Sequence, residues 1–231
     1  MARLTWDQPT EHFYETGIKQ GVLYPYATNG YGEGVAWNGL TAVTEQPSGA
    51  EETKLYADDD KYLSLRSAEE FGLTIEAYTY PDEFMECDGS ASAMSGMVIG
   101  QQSRKMFGLC YRTAIGNDVD GNDHAFKLHL VYGITVAPSE RAYSTINDSP
   151  EAITFSWEGS CTPVDVNITG KDFKKTCIIT IDSRKFTETA AKAKLNALID
   201  ILYGTDPVEQ SEGTAPSLPS PALVYSTLSA S

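Results

Sequence analysis

The segment closest to a chemical site is Asn117-Asp118-Val119-Asp120-Gly121-Asn122-Asp123. Oxygen-bearing side chains around a glycine are typical of a calcium loop. Aligning Gly121 with the sixth position of an EF-hand loop places Gly116 at the first position and Lys127 at the twelfth. Both of those positions require an oxygen ligand, so the calcium interpretation fails. We predict instead a tight turn between two strands, whose exposed acids can meet a partner.

No other pattern predicts catalysis or metal binding. The three histidines, His12, His124 and His129, do not form a known metal motif. The sequence contains no nucleophile elbow, no Walker loop and no dinucleotide-binding glycine pattern after a strand. Adjacent acids such as Glu51 and Glu52 are expected by chance in a chain with 32 acidic residues. We therefore predict no enzyme activity, no cofactor and no catalytic or metal-binding residue.

The composition indicates a globular protein with an acidic surface. The 231 residues include 17 basic and 32 acidic side chains, which gives a net charge of −15. Binding to nucleic acid along its phosphates depends on Lys and Arg, so this charge argues against it, and against an anionic membrane surface. Hydrophobic residues form 41% of the chain, enough for a core without disulfides or metals.

Two further patterns concern the cellular compartment. The N-terminal sequence has no apolar stretch typical of a secretory signal, and no segment approaches the ~18 apolar residues of a membrane span. The four cysteines lack the close spacing of zinc or redox pairs, which predicts four reduced thiols. They are Cys87, Cys110, Cys161 and Cys177.

The elements that would position any site are mostly strands. Short alternating or apolar runs predict strands at 35–43, 54–57, 61–65, 71–78, 106–111, 127–136, 153–158 and 178–181. The pair at 54–57 and 61–65 would form a hairpin around Asp58-Asp59-Asp60. In 127–136 the even-numbered residues from Leu128 to Val136 would share one face. Many short strands with turns between them predict an antiparallel β-sandwich or barrel.

One α-helix is predicted, at 187–203, with Thr187 as its N-cap and Gly204 after its end. Its apolar residues recur at helical spacing and form one stripe, which predicts packing on a face of the sheet. The stripe consists of Ala191, Leu195, Leu198 and Leu202.

The two ends of the chain are predicted to be extended arms around a central domain at 35–204. Residues 1–34 mix glycines with tyrosines, which suits a segment lying either across its own core or across a neighbouring molecule. Residues 205–231 contain four prolines and no Lys or Arg, which predicts an extended tail. Residues 223–225 in that tail could add a short strand to a sheet edge.

Several segments, in order along the chain, are similar to one protein family. They are residues 107–113, 115–121, 127–133, 144–152 and 153–163, and the helix end at 202–206. On these segments the chain resembles the major tail protein family of long-tailed, non-contractile bacteriophages, with coverage from about residue 17 to residue 206.

The resemblance implies a structural protein of the virion tail, made in the bacterial host cytoplasm. Members of that family form hexameric rings that stack into a hollow tube, the conduit for genome ejection. The implied partners are other copies of the chain, the tape measure and tail completion proteins, and double-stranded DNA that passes without sticking, with no membrane partner. Acidic side chains on the inner wall would repel that DNA.

The candidate contacts between subunits lie in two segments. Residues 44–53 are polar and are predicted to form a loop that crosses to the adjacent ring. The candidate contact residues are Glu45, Pro47, Gly49, Glu51, Glu52, Asp118 and Asp120. An alternative function is a receptor- or carbohydrate-binding β-sandwich of the virion that uses surface aromatic residues. A hydrolase using paired acids has the least support, because no nucleophile or metal pattern accompanies those acids.

Overall fold

The computed structural model describes residues 3–9, 11–146, 148, 152–207 and 212–229. The strands are β1 (Tyr14–Ala27), β2 (Gly30–Tyr31), β3 (Val35–Trp37), β4 (Leu40–Gly49), β5 (Glu52–Ala57), β6 (Asp60–Arg66), β7 (Glu69–Ala77), β8 (Ala91–Met94), β9 (Met97–Ile99), β10 (Phe107–Asn117), β11 (Gly121–Val136), β12 (Phe155–Cys161) and β13 (Ile178–Asp182). The α-helices are α1 (Thr189–Tyr203) and α2 (Pro221–Ser229), and short 3-10 helices cover Asp82–Glu86 and Ser183–Lys185. The predicted mostly-β, antiparallel fold with a helix near the C-terminus is confirmed.

Nine of the strands form one antiparallel sheet that wraps around its core. Its order is β2-β1-β10-β11-β12-β7-β4, with β3 also paired to β1 and β13 also paired to β11. Only Asn38 and Gly39 separate β3 from β4, although β3 pairs with β1 and β4 pairs with β7. The two ends of the sheet therefore come together, which gives a barrel-like body.

The longest strand, β11, bends at Gly133. One residue of β10, Gly108, lies opposite two of β11, Tyr132 and Gly133, because Leu109 pairs with Val131 while Phe107 pairs with Ile134. Such an extra residue is a β-bulge, and Gly133 adopts φ +67° to form it. A Cβ at Gly133 would lie 2.2 Å from the Thr162 carbonyl oxygen, so only glycine fits there.

The bulge corrects the prediction that the even-numbered residues of 127–136 share one face. Leu128, Leu130 and Tyr132 pack in the cluster beneath the helices. Ile134 and Val136 pack in the interior of the barrel instead. After a bulge, odd- and even-numbered residues exchange faces of the sheet. The even-numbered residues from Leu128 to Val136 are apolar without a break, so the sequence does not reveal this exchange.

The interior of the barrel is built around Trp157, which is 1% exposed. Its ring centroid lies 5.0 Å from that of Phe84 and 5.8 Å from that of Trp37. Its indole Nε1 donates a hydrogen bond of 3.1 Å to the buried carboxylate of Asp88. Asp88 also pairs with Arg141, which fixes the chain between β11 and β12 to the barrel. The one buried acid of this core is thus fully partnered.

The helices cover the outer face of the sheet, as the predicted stripe requires. Leu195, Leu198 and Leu202 of α1 are buried against β10, β11 and β13. Gly204 follows the helix at φ +75°, as predicted. The N-terminus differs from the prediction, because Glu188 rather than Thr187 occupies the N-cap position and makes no side-chain cap.

The N-terminal segment is a strand, so the prediction of an extended arm over residues 1–34 is wrong for most of its length. β1 pairs with β10 from Tyr14 to Pro25, and Val22, Leu23 and Tyr24 are buried. Its register shifts twice, between Thr16 and Val22, where Gly17 adopts φ +66°. The glycines that suggested a flexible arm serve irregularities inside a strand.

The C-terminal segment also differs from an extended tail. Residues 212–220 have no regular structure, but α2 follows, so 223–225 is helical and adds no strand. Val224 is buried in the cluster that includes the α1 leucines. Two tyrosine hydroxyls fix this layer, since Tyr132 donates to the Pro219 carbonyl oxygen at 2.9 Å and Tyr24 donates to that of Leu202 at 2.6 Å.

Replacing Gly133 by alanine tests the bend. We expect Gly133→Ala to lose more than the about 1–2 kcal/mol typical of a left-handed alanine, because its Cβ would also meet Thr162. Gly121→Ala is the matched control, since Gly121 adopts φ +60° with open space around it. Equal losses of unfolding free energy in urea for the two variants would contradict this account.

The thiols allow a second test. Burial raises the pKa of Cys87, Cys110 and Cys161 to about 12, and that of Cys177 also rises. The folded protein should therefore react slowly with a thiol reagent at pH 8, because little thiolate forms. After denaturation without reductant all four thiols should titrate, and a smaller number would contradict the prediction of reduced cysteines.

Candidate assembly surface

A two-stranded ribbon projects from the barrel, and we call residues 44–71 the arm. At its base β4 pairs with β7 as far as Gly49 opposite Glu69. Beyond that point β5 and β6 pair with each other from Glu52 opposite Arg66 to Ala57 opposite Asp60. Every residue of β5 and β6 is exposed.

The arm corrects the prediction that residues 44–53 form a loop. Residues 44–49 belong to β4, and Glu52 begins β5. Pro47 suggested a break, but it lies opposite Phe71 on a strand whose other edge is unpaired among the described residues. Proline is tolerated on such an edge because its missing N–H costs no ladder hydrogen bond. Within residues 44–53 only Gly49 and Ala50 have positive φ, +79° and +55°, and they separate β4 from β5.

The outer half of the arm is the β5–β6 hairpin, and its tip is a tight turn. Asp58 and Asp59 both have positive φ, 52° and 61°. Positive φ at both central residues is characteristic of a type I′ turn, whose twist matches that of the strands. The predicted hairpin around three aspartates is thus confirmed.

One face of this hairpin is apolar and uncovered. Leu55 pairs with Leu63, and Thr53 pairs with Leu65 on the same face. The three leucines are 42%, 36% and 54% exposed. The other face is polar, with an ion pair of 2.8 Å between Lys61 and Glu52. An isolated two-stranded hairpin is marginally stable in water, which makes this uncovered apolar face a candidate contact surface.

Sequence reasoning did not select these leucines as contact residues. The signal was present, because apolar residues alternate with polar ones on both strands of a predicted hairpin. It was ambiguous, since the same alternation is expected of a strand that faces its own core. Only the structure shows that no second layer lies over them among the described residues.

A second uncovered hairpin lies elsewhere on the body. β8 and β9 pair with each other alone, and all residues of β9 are exposed. Met94 and Met97 flank their turn and are 65% and 50% exposed. The chain thus has two apolar hairpins without a covering layer in the described structure.

Glu45, a predicted contact residue, reaches back toward the barrel at the base of the arm. Its Oε1 accepts a hydrogen bond of 2.8 Å from the Tyr111 hydroxyl. The Tyr111 ring stacks on His129 at 4.6 Å, and His129 Nδ1 lies 3.6 Å from the same Glu45 oxygen. Thr113 Oγ1 donates its hydrogen to Glu15 at 2.8 Å. The same oxygen therefore accepts a hydrogen bond from His129 Nε2 at 3.0 Å.

This arrangement leaves His129 Nδ1 buried and without a hydrogen-bond partner. Burial lowers the pKa of His129 and outweighs Glu45 and Glu15, which favour the charged form. The neutral ring, with its proton on Nε2, therefore occupies the pocket between β1, β4, β10 and β11. The cluster links the base of the arm to the barrel.

The two other predicted contact residues, Asp118 and Asp120, lie in the turn between β10 and β11. The predicted turn is confirmed, since Asn117 pairs with Gly121. Asn117 Oδ1 accepts from the Asp120 amide at 2.5 Å, and the Asp120 carboxylate contacts His124 at 2.8 Å. Asp118 lies 3.2 Å from His12 of the N-terminal segment. These acids therefore belong to a different surface element from the arm.

Neither a metal cluster nor a membrane helix is found in the described part of the chain. No group of three or more His, Cys, Asp or Glu side chains there could hold a metal ion. None of the described helices is both long and apolar enough to cross a membrane. Comparisons of the chain with models of known protein families and with curated proteins gave no match.

The burial of His129 predicts a pH dependence. Its pKa is lower in the folded state than in the unfolded state, so folding disfavours the proton. Stability from this residue is present above about pH 6.5 and is lost as the pH falls below it. We expect His129→Gln to reduce the fall in melting temperature between pH 7 and pH 5.

His12→Gln is the control, since the His12 side chain is 50% exposed. The same reduction in both variants, or none in His129→Gln, would contradict the assignment.

Proposed function

We propose that the chain is a structural subunit of a phage tail tube, which assembles with its own copies into stacked hexameric rings for genome ejection. The observation that supports this most directly is the β5–β6 hairpin, with its apolar face uncovered at the end of the arm. A structure of that kind gains its stability from a partner.

Several features favour another copy of the chain as that partner. The segments that resemble the major tail proteins include β10, β11 and β12, which are adjacent strands in the sheet from which the arm projects. The barrel and its helical layer form a rigid body with two uncovered hairpins, as a subunit that meets several neighbours requires.

The net charge of −15 agrees with a conduit for DNA. Repeated around each ring, acids on the inner wall would repel a passing duplex over about 8 Å at physiological salt. Cationic side chains on that wall would instead retain it.

Removing the hairpin tests the proposal. The Ser67 amide donates to the Glu51 carbonyl oxygen at 3.2 Å, so residues 52–66 can be replaced by Asn-Gly, which closes the shortened ribbon with a tight turn. We expect a folded protein with an unchanged melting temperature that forms no long tubes, as seen by negative-stain electron microscopy and light scattering.

The control for this test is Lys54→Ser/Ser64→Thr, which changes only the polar face of the hairpin and should assemble normally. Normal tubes from the shortened protein would show that the hairpin is not an assembly element. A full-length chain that stays monomeric at high concentration would contradict the proposed function.

A virion receptor- or carbohydrate-binding module is the second candidate. The observation in its favour is the pair Tyr56 and Tyr62 near the hairpin tip, which are 68% and 72% exposed. Aromatic rings in such positions suit stacking on sugars. Binding of a discrete monomer to host cell-wall glycan, lost in Tyr56→Ala/Tyr62→Ala, would support this candidate over the tube.

A further inference from the structure

An apolar groove lies on the outer side of the barrel, between β13 and α2. Its volume is about 660 Å³, and it is open to solvent. Apolar side chains from β13, α2 and the chain before β13 form its floor and walls. Among them are Val166, Ile168, Phe173, Ile179, Val224 and Leu228.

The groove runs beside an unpaired strand edge. β13 pairs with β11 on one side, and no other described strand pairs with it. Thr180, in the middle of β13, is exposed. An edge of this kind can accept another strand through main-chain hydrogen bonds.

We propose that the β5–β6 hairpin of a second copy of the chain docks in this groove, with one of its strands along the free edge of β13. This inference rests on the proposed function, because it names the surface that receives the arm. The leucine face of the hairpin would cover the apolar floor. Either strand of the hairpin is long enough to pair along all of β13, since β13 has five residues, β5 six and β6 seven.

Charge favours this occupant. The hairpin tip has three consecutive acids, Asp58-Asp59-Asp60. Lys171, Lys174 and Lys175 flank the groove and place three of the chain's 17 basic residues within five positions. Lys174 and Lys175 line the groove directly, and Lys171 Nζ lies 4.8 Å from the ring centre of Tyr225 on α2. Lys175 Nζ also lies 3.2 Å from the exposed carboxylate of Asp165, so most of the positive charge available to the hairpin tip comes from Lys174 and Lys171.

The position of the chain's own arm explains why a second copy is needed. The base of the arm, at Ala50, residues 66–69 and Phe71, lines a neighbouring cleft together with Lys174 and Lys175. The arm therefore leaves the body beside the groove, and the hairpin does not line it. Each copy presents one hairpin and one groove, and such head-to-tail contacts generate closed rings or continuous stacks.

Charge variants of the full-length chain test the docking. Asp58→Asn/Asp59→Gly removes two charges but retains residues that favour a type I′ turn. We expect this variant and Lys174→Glu/Lys175→Glu each to raise the concentration needed for assembly about tenfold, as two lost ion pairs would. The control is Lys19→Glu/Lys192→Glu, which reverses two exposed lysines outside the groove.

Reciprocal exchange makes the test specific. Asp58→Lys/Asp59→Lys should impair assembly alone and recover it when combined with Lys174→Glu/Lys175→Glu. For direct proximity, a Leu63→Cys protein is mixed with a Thr180→Cys protein of different tag length, and oxidation should give a dimer of mixed mass.

The outcomes separate the two proposals. Normal assembly of Lys174→Glu/Lys175→Glu without the mixed disulfide would overturn the docking site and leave the tube subunit standing. Loss of assembly in that variant without reciprocal recovery and without the mixed disulfide would also overturn it. A wild-type chain that never assembles would overturn both.

Discussion

The bend at Gly133 determines how one strand can serve two cores. Before it, β11 pairs with β13 and directs Leu128, Leu130 and Tyr132 toward the helices. After it, the strand pairs with β12 and contributes to the interior around Trp157. Because a Cβ at this position would meet the Thr162 carbonyl oxygen, the bend depends on the absence of a side chain. The barrel, the helical layer and the free edge of β13 all follow from it.

The arm contrasts with this rigid body. The barrel and the helical layer are stabilised by burial of apolar side chains, whereas every residue of β5 and β6 is exposed. Elements with few buried contacts open locally at low free-energy cost, so the hairpin should open more readily than the barrel.

Much of the local structure could be predicted from the sequence. Alternation of apolar and polar residues identified most strands, and four apolar residues at helical spacing identified α1. Short runs of Asp, Asn and Gly identified the turns at Asp58 and Asn117. These features depend on interactions between residues close together in the chain, which sequence periodicity records. The predicted contact segment at 44–53 lies within the arm, but it is mostly strand and not the predicted loop. The sequence did not identify the apolar face of the neighbouring β5–β6 hairpin as a contact surface.

The sequence by itself therefore determined the fold class, the position of α1 and the presence of a hairpin with an acidic tip. Only the tertiary structure decided that β1 is a strand, that β4 continues through Pro47 and that Glu45 binds Tyr111. It also decided the facing of Ile134, through the bulge at Gly133. Each of these depends on a partner distant in the chain, because strand pairing, bulges and edge positions are properties of two strands together.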